Sequence, residues 1–157
     1  AFGDIDNDGD QDVFEEMGGA YSGDNYPSVL YENPGNGNNW IKLKLEGLQS
    51  NRSAIGARIK VTAETPNGER SIYRTVGTGG SFGCSPLRQE IGLGNATAIK
   101  SVRIDWPTTG KHQIFTNVAV NQMVKIREGE PTTASVQLKS FKLASGAGGH
   151  HHGHKHH

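Results

Sequence analysis

Cysteine, apolar residues and long hydrophobic runs are all scarce in this sequence. The lone cysteine, Cys84, excludes a framework of intramolecular disulfide bonds. Hydrophobic residues make up 33% of the 157 positions, whereas about 45–50% is usual, so we expect a thin core, many turns and exposed loops. No run approaches the roughly 18 apolar residues of a membrane helix, so the sequence predicts no membrane span.

Basic residues are absent from the first 41 positions, although the whole chain has sixteen Lys and Arg, sixteen Asp and Glu, and a formal net charge of zero. The acidic residues of this segment are Asp4, Asp6, Asp8, Asp10, Asp12, Glu15, Glu16, Asp24 and Glu32. The five closely spaced aspartates repel one another unless a cation lies among them. The asymmetry therefore predicts a ligand site in this segment, while the zero net charge argues against a nucleic-acid partner.

Short segments with alternating apolar and polar residues follow the acidic segment. Residues 40–46 and 57–63 alternate with period two, and the turn at 66–68 leads into a similar strand at 70–76. The other predicted strands are 89–94, 101–106, 111–115 and 122–127. No window has helical apolar periodicity over three turns. Residues 40–129 are therefore predicted to form an all-β domain, an antiparallel β-sandwich or barrel-like fold.

The composition changes again at residues 129–131, after the last of these strands. Residues 134–143 alternate over ten positions and predict an extra C-terminal strand outside the compact domain. Together with the Gly-rich link that follows, this strand makes up the segment 130–149.

The final segment, 150–157, is a His-rich tail that holds six of the seven histidines. These are His150, His151, His152, His154, His156 and His157. Imidazole ligands suit Cu²⁺, Zn²⁺ and Ni²⁺, so the tail is a candidate transition-metal site. An affinity tag and a docking segment are the alternative interpretations.

The acidic loop, residues 4–12, is the most specific motif in the chain. Ca²⁺ takes six to eight hard oxygen ligands at about 2.3–2.6 Å. Carboxylates at alternate positions can converge as the loop curls round an ion, and Gly9 permits a tight bend. The predicted calcium ligands are Asp4, Asp6, Asp8, Asp10 (through its carbonyl oxygen) and Asp12. Mg²⁺ fits less well because it keeps several waters, and the alternative without metal is an Asp/Asn-rich turn.

The spacing of an EF-hand also matches, because Glu15 is the twelfth residue counted from Asp4. An EF-hand needs a helix before its loop, but only three residues precede Asp4, and the residues after the loop have a strand pattern. We therefore predict a calcium loop flanked by β-structure, in which Asp12 rather than Glu15 is the last carboxylate.

The acidic loop also resembles a known repeat. Residues 2–13 resemble the calcium-binding core of an FG-GAP repeat, the integrin-type, VCBS-like blade motif of β-propellers. The resemblance lies in Phe2-Gly3-Asp4, the later aspartates, Gly9 and Asp12-Val13. Residues 1–39 are therefore predicted to be a partial FG-GAP repeat that lacks the strand preceding its loop.

Residues 40–129 resemble the ASPIC and UnbV domain, which follows such repeats in secreted proteins, including the cartilage acidic protein family. The matching stretches are 53–59, 74–81, 91–94, 102–107 and 117–122. The resemblance implies an extracellular β-rich module in which the repeat binds calcium, with no established catalysis.

Two further groups of residues bear on localisation and chemistry. Asn51 and Asn95 each begin an N-x-S/T sequon and would be glycosylation acceptors in a secreted protein. Cys84 with His112 could provide a nucleophile and a base, but no third group is indicated to orient them, so the sequence predicts no enzyme.

We expect an extracellular calcium-binding structural module that self-associates, with filaments built by strand exchange. In this hypothesis the extra C-terminal strand of one subunit completes the N-terminal motif of the next. A monomeric adhesion-type module from a larger secreted protein, binding other extracellular proteins or glycans, is one alternative. A transition-metal-binding protein that uses its His tail is the other.

Overall fold

The structure, a computed structural model, describes residues 1–19, 21–23, 26–79 and 86–142. Within these ranges the chain forms β-strands and no helix, so the all-β prediction is confirmed. The strands are β1 (Phe2–Gly3), β2 (Asp12–Glu15), β3 (Val29–Tyr31), β4 (Asn39–Glu46), β5 (Arg58–Thr65), β6 (Gly68–Thr75), β7 (Gln89–Gly94), β8 (Ala98–Asp105), β9 (His112–Phe115), β10 (Gln122–Arg127) and β11 (Ala134–Val136). The described residues accordingly include no helix that could cross a membrane.

Two four-stranded sheets form a sandwich around one apolar core. Their strand orders are β11-β10-β4-β7 and β6-β5-β8-β9, and neither sheet closes on itself. Alternate residues of the central strands point inward, so the core combines Ile41 and Leu43 of the first sheet with Ile59 and Val102 of the second. Trp106, which is also buried, donates from Nε1 to Gln113 Oε1 at 2.6 Å. The predicted sandwich is therefore confirmed.

One strand pairing differs from the antiparallel expectation. β10 lies parallel to β4, with Gln122 opposite Ile41 and Arg127 opposite Glu46. A parallel pair requires a long crossover connection, and here the chain crosses to the second sheet between these strands. The alternation of apolar and polar residues within a strand does not encode which other strand it pairs with.

A third, three-stranded sheet with the order β1-β2-β3 carries the acidic loop. Phe2 pairs with Val13, which in turn pairs with Tyr31. The prediction that the loop lacks a preceding strand was therefore wrong, because the two-residue β1 precedes it. Two residues are too few to show alternation, which explains why the sequence did not reveal this strand.

The extra C-terminal strand is also used within the chain. β11 pairs antiparallel with β10, with Met123 opposite Val136 and Lys125 opposite Ala134. It extends the first sheet over three residues rather than the ten predicted, and it does not lie outside the compact domain. The predicted self-association took this strand to be spare, and that premise was wrong.

Several predictions fall outside the described residues. The structure gives no account of Cys84, of the link after residue 142 or of the His-rich tail at 150–157. The transition-metal site therefore stays a prediction, as do the three boundaries, at residues 39, 129 and 149, between the four predicted segments.

A buried carboxylate fixes the loop that follows β4. Glu128 Oε2 accepts hydrogen bonds from the backbone N–H groups of Leu48, Gln49 and Ser50 at 2.7–2.8 Å. Its Oε1 accepts from Ser50 Oγ at 3.0 Å and Thr109 Oγ1 at 3.1 Å. Burial acts to raise the pKa of Glu128, but these hydrogen bonds outweigh it and lower the pKa to about 2.

We expect the substitution Glu128→Gln to lower the free energy of unfolding by about 2 kcal/mol, because it removes charge-assisted hydrogen bonds and leaves their donors poorly paired. Chemical denaturation at pH 7 measures the loss. Glu130→Gln is the control, since Glu130 is exposed and its pair with Arg127 is worth about 0–1 kcal/mol.

Because the folded-state pKa of Glu128 is depressed, its stabilisation is complete above about pH 4.5 and is lost as the pH falls towards 2. The difference in stability between the native protein and the E128Q variant should shrink over this window. An equal difference at pH 7 and pH 2.5 would contradict this assignment.

Candidate metal centre in the acidic loop

The acidic loop connects β1 to β2 and is shaped by two residues with positive φ. Asn7 has φ of 63° and Gly9 has φ of 105°. These bends turn the chain back on itself, so that side chains from alternate positions face the same interior. A β-strand lies on each side of the loop, of which β2 was predicted and β1 was not, and no helix flanks it as in an EF-hand.

Three of the five predicted ligands converge. Asp4, Asp6 and Asp8 each place a carboxylate oxygen within 4.8 Å of the other two. Ligands on opposite sides of a calcium ion lie about 5 Å apart, because each Ca–O distance is about 2.3–2.6 Å. Asp4 and Asp6 are buried and Asp8 is exposed. The spacing and chemistry of these oxygens therefore fit Ca²⁺.

Backbone donors hold the three carboxylates in place. Asp6 Oδ1 accepts from Asp8 N at 3.2 Å, and Asp8 Oδ1 accepts from Asp10 N at 2.9 Å. Asp4 Oδ2 accepts from Gly9 N at 2.8 Å. Each of the three carboxylates thus uses only one of its two oxygens in these bonds. Asp4 Oδ1 is buried with no hydrogen-bond partner among the described residues.

Asp10 and Asp12 lie outside this three-carboxylate cluster. The Asp10 side chain points towards Gly35, where an added Cβ would lie 2.7 Å from Asp10 Oδ2. Asp12, 1% exposed, accepts from Ile5 N at 2.9 Å through Oδ2 and from Asn33 N at 3.0 Å through Oδ1. Asp12 therefore connects the loop to the segment after β3.

The cluster is electrostatically costly without a cation. Burial raises the pKa of Asp6, and the charges of Asp8, Asp12 and Asp4 raise it further, against a lowering by the hydrogen bond from Asp8 N. Burial likewise raises the pKa of Asp10, and Asp8 adds to the shift. Both shifts oppose the ionisation of these two carboxyl groups.

One cation of the protein itself contacts this cluster. Lys42 on β4 is 1% exposed, and its Nζ forms an ion pair with Asp4 Oδ2. Nζ also lies 5.0 Å from the centroid of the Trp40 ring. Nζ makes no hydrogen bond of ordinary geometry with the described residues. The sequence offered no signal for this contact, since Lys42 occupies an outward position in an alternating strand.

The loop packs directly on the sandwich through Gly9. A Cβ added at Gly9 would overlap the indole ring of Trp40. Gln11 Nε2 donates to Glu90 on β7 close by. Gly9 is therefore required twice, for its positive φ and for the close approach of the ring.

The segment after β11 returns to the acidic loop. Phe141 N donates to the Asp6 carbonyl oxygen at 3.2 Å, and Asn7 Nδ2 donates to the Lys139 carbonyl oxygen at 3.1 Å. Residues 137–142, predicted as strand, instead cross the loop. This contact joins segments more than 130 residues apart, which local sequence patterns do not reveal.

One known family model matches a large part of the sandwich. The family model described as ASPIC and UnbV matches residues 47–133, more than half of the chain. This chain belongs to the ASPIC and UnbV family. A search of curated proteins finds no match. The family match overlaps the sandwich and begins after Lys42, so the acidic loop and its lysine lie outside the matched residues.

Both sequons lie within the matched ASPIC and UnbV residues. The Asn51 side chain accepts from Ile55 N at 2.9 Å and donates to the Ile55 carbonyl oxygen at 2.8 Å. Asn95 is exposed after β7. Whether either carries a glycan stays a prediction.

We expect Gly9→Ala to loosen the acidic loop from the ASPIC and UnbV sandwich, because the new methyl group overlaps Trp40. Gly68→Ala is a matched control, since Gly68 has φ of 106° but no described atom within 4 Å of an added Cβ. Both variants lose about 1 kcal/mol to backbone strain. Thermal unfolding should show a distinctly larger loss for G9A, and equal losses would contradict the packing role of Gly9.

Proposed function

We propose that this protein is an extracellular, calcium-binding structural module without enzymatic activity. The observation that carries the proposal is the convergence of Asp4, Asp6 and Asp8, two of them buried, at distances that suit Ca²⁺. The ion would neutralise a cluster that is otherwise repulsive, and so would fasten the three-stranded sheet to the ASPIC and UnbV sandwich.

Further ligands would complete the coordination shell. Three carboxylates that each offer one oxygen supply fewer than the six to eight oxygens that calcium takes, so carbonyl oxygens and waters must contribute. We propose the Asp10 carbonyl and the free lone pairs of Asp12 for this role. Mg²⁺ would bind less well, because the loop is irregular and Mg²⁺ demands near-octahedral geometry.

We further propose that residues 1–39 are a partial FG-GAP repeat, and that the chain is related to the cartilage acidic protein family. The partial FG-GAP repeat is supported by the immediate succession of a short strand, an aspartate-rich loop and a second strand. The ASPIC and UnbV sandwich that follows supports the relationship to the cartilage acidic protein family. Extracellular localisation rests on this relationship, and so does adhesion-type binding of other proteins or glycans.

We expect calcium to raise the melting temperature of the native chain and to bind with one ion per molecule in calorimetric titration. Asp6→Asn should weaken calcium affinity at least about tenfold, because it removes a charged ligand worth 1.4 kcal/mol or more. Glu15→Gln is the control, since Glu15 is the last ligand only if the loop is an EF-hand.

The two variants separate the possible outcomes. Loss of binding in D6N with retention in E15Q supports the proposed site. Equal loss in both variants would favour the EF-hand ligand set, and absence of calcium binding by the native chain would contradict the proposed function.

Self-association is a second proposal, and an exposed apolar row supports it. Phe2, Val13 and Tyr31 lie side by side across the three-stranded sheet, and Phe2 and Tyr31 are 76% and 52% exposed. Exposed apolar rows of this kind are typical of interaction surfaces. We propose that a second copy of the chain covers this face. Strand exchange is disfavoured because β11 already pairs with β10 of its own chain.

We expect Tyr31→Ser to reduce the molar mass of the native assembly measured by light scattering, because it removes the largest side chain of this row. Tyr73→Ser is the control, since Tyr73 is 64% exposed on the sandwich instead. A native chain that is monomeric with and without calcium would contradict self-association and favour the monomeric binding module.

A further inference from the structure

Lys42 is a buried ammonium group placed against a proposed calcium ligand. It is 1% exposed, and its partner Asp4 is 5% exposed. Asp4 Oδ1 and Lys42 Nζ are both buried without a hydrogen-bond partner among the described residues. A buried ion pair with unmet hydrogen-bonding groups recovers little of its desolvation cost, so this pair is readily exchanged for a better one.

A second acidic residue faces Lys42 from the neighbouring strand, where its carboxylate also pairs with Arg88 and accepts a hydrogen bond from Gln11. Lys42 of β4 and Glu90 of β7 are directly opposite each other in the antiparallel register. Cβ atoms of such a pair are about 4.5–5.5 Å apart, so their side chains can meet. Lys42, Glu90 and Asp10 also line one cavity of about 210 Å³.

We propose that Lys42 is a built-in competitor for calcium: it neutralises Asp4 when the ion is absent and turns to Glu90 when the ion binds. The inference rests on the proposed calcium site. Two positive charges cannot share Asp4 at low cost, because like charges a few ångströms apart repel strongly in a buried environment. Calcium binding and the Lys42–Asp4 pair are therefore negatively coupled.

The competition has a functional consequence. Without calcium, Lys42 keeps the loop docked on β4 and prevents the cluster from unfolding through repulsion. With calcium, the ion takes over the neutralisation of Asp4. The lysine thus lowers the calcium affinity of the site. The site therefore fills at a higher calcium concentration than it would if the carboxylates were present without the lysine.

Calorimetric titration of the full chain with CaCl₂ tests the competition. Lys42→Gln removes the charge but keeps a hydrogen-bond donor for Asp4, and we expect it to tighten calcium binding about tenfold. It should also lower the melting temperature of the calcium-free protein. Lys44→Gln is the control, since Lys44 lies two residues along the same face of β4 but is exposed.

The exchange to Glu90 has a test of its own that does not depend on the folding of the lysine variant. Glu90→Gln should weaken calcium binding in the native background, because Lys42 then lacks its second partner. In the K42Q background the same substitution should have a much smaller effect.

The outcomes separate this inference from the proposed function. If the native chain binds calcium and the K42Q variant binds it equally or more weakly, the competition is overturned. An equal effect of E90Q in both backgrounds would overturn the exchange. No calcium binding by any variant would contradict the proposed function itself, whereas binding by K42Q alone would contradict it for the native chain and support the competition.

Discussion

Repulsion among closely spaced carboxylates is the constraint on which the N-terminal, three-stranded sheet of this protein depends. Asp4, Asp6 and Asp8 are held together by backbone donors, and two of them are withdrawn from water. Such a cluster persists only if positive charge compensates it. Lys42 supplies that charge at Asp4, and the proposed calcium ion would take its place there. The docking of the three-stranded sheet on the sandwich therefore depends on how this charge is balanced.

The sandwich provides the rigid surface that this balance requires. β4 lies between β10 and β7, and its inward residues are buried in the core, so the backbone of its outward residues Trp40 and Lys42 is held in place. Gly9 packs against Trp40, and Asp4 pairs with Lys42. Residues 137–142 cross the loop from the other end of the chain. The site is thus built from three separate segments, although its acidic groups come from one.

The parts of the fold that local patterns encode were predictable. Strands of the sandwich follow from alternation, since inward positions such as Ile59 and Val61 must be apolar. The parallel pairing of β10 with β4 was not predictable, because register between distant strands leaves no local trace. The convergence of Asp4, Asp6 and Asp8 followed from their spacing. The burial of Lys42 could not be predicted from the sequence, because it depends on the acidic loop folding over a strand position that would otherwise face solvent.

Hydrogen–deuterium exchange of the full chain, with CaCl₂ and with a chelator, tests most directly whether a calcium-neutralised loop fastens the N-terminal sheet to the sandwich. If it does, amides of residues 2–16 will exchange more slowly with calcium, while those of 99–104 in the second sheet will be unchanged. Identical exchange of residues 2–16 under both conditions would contradict the central claim.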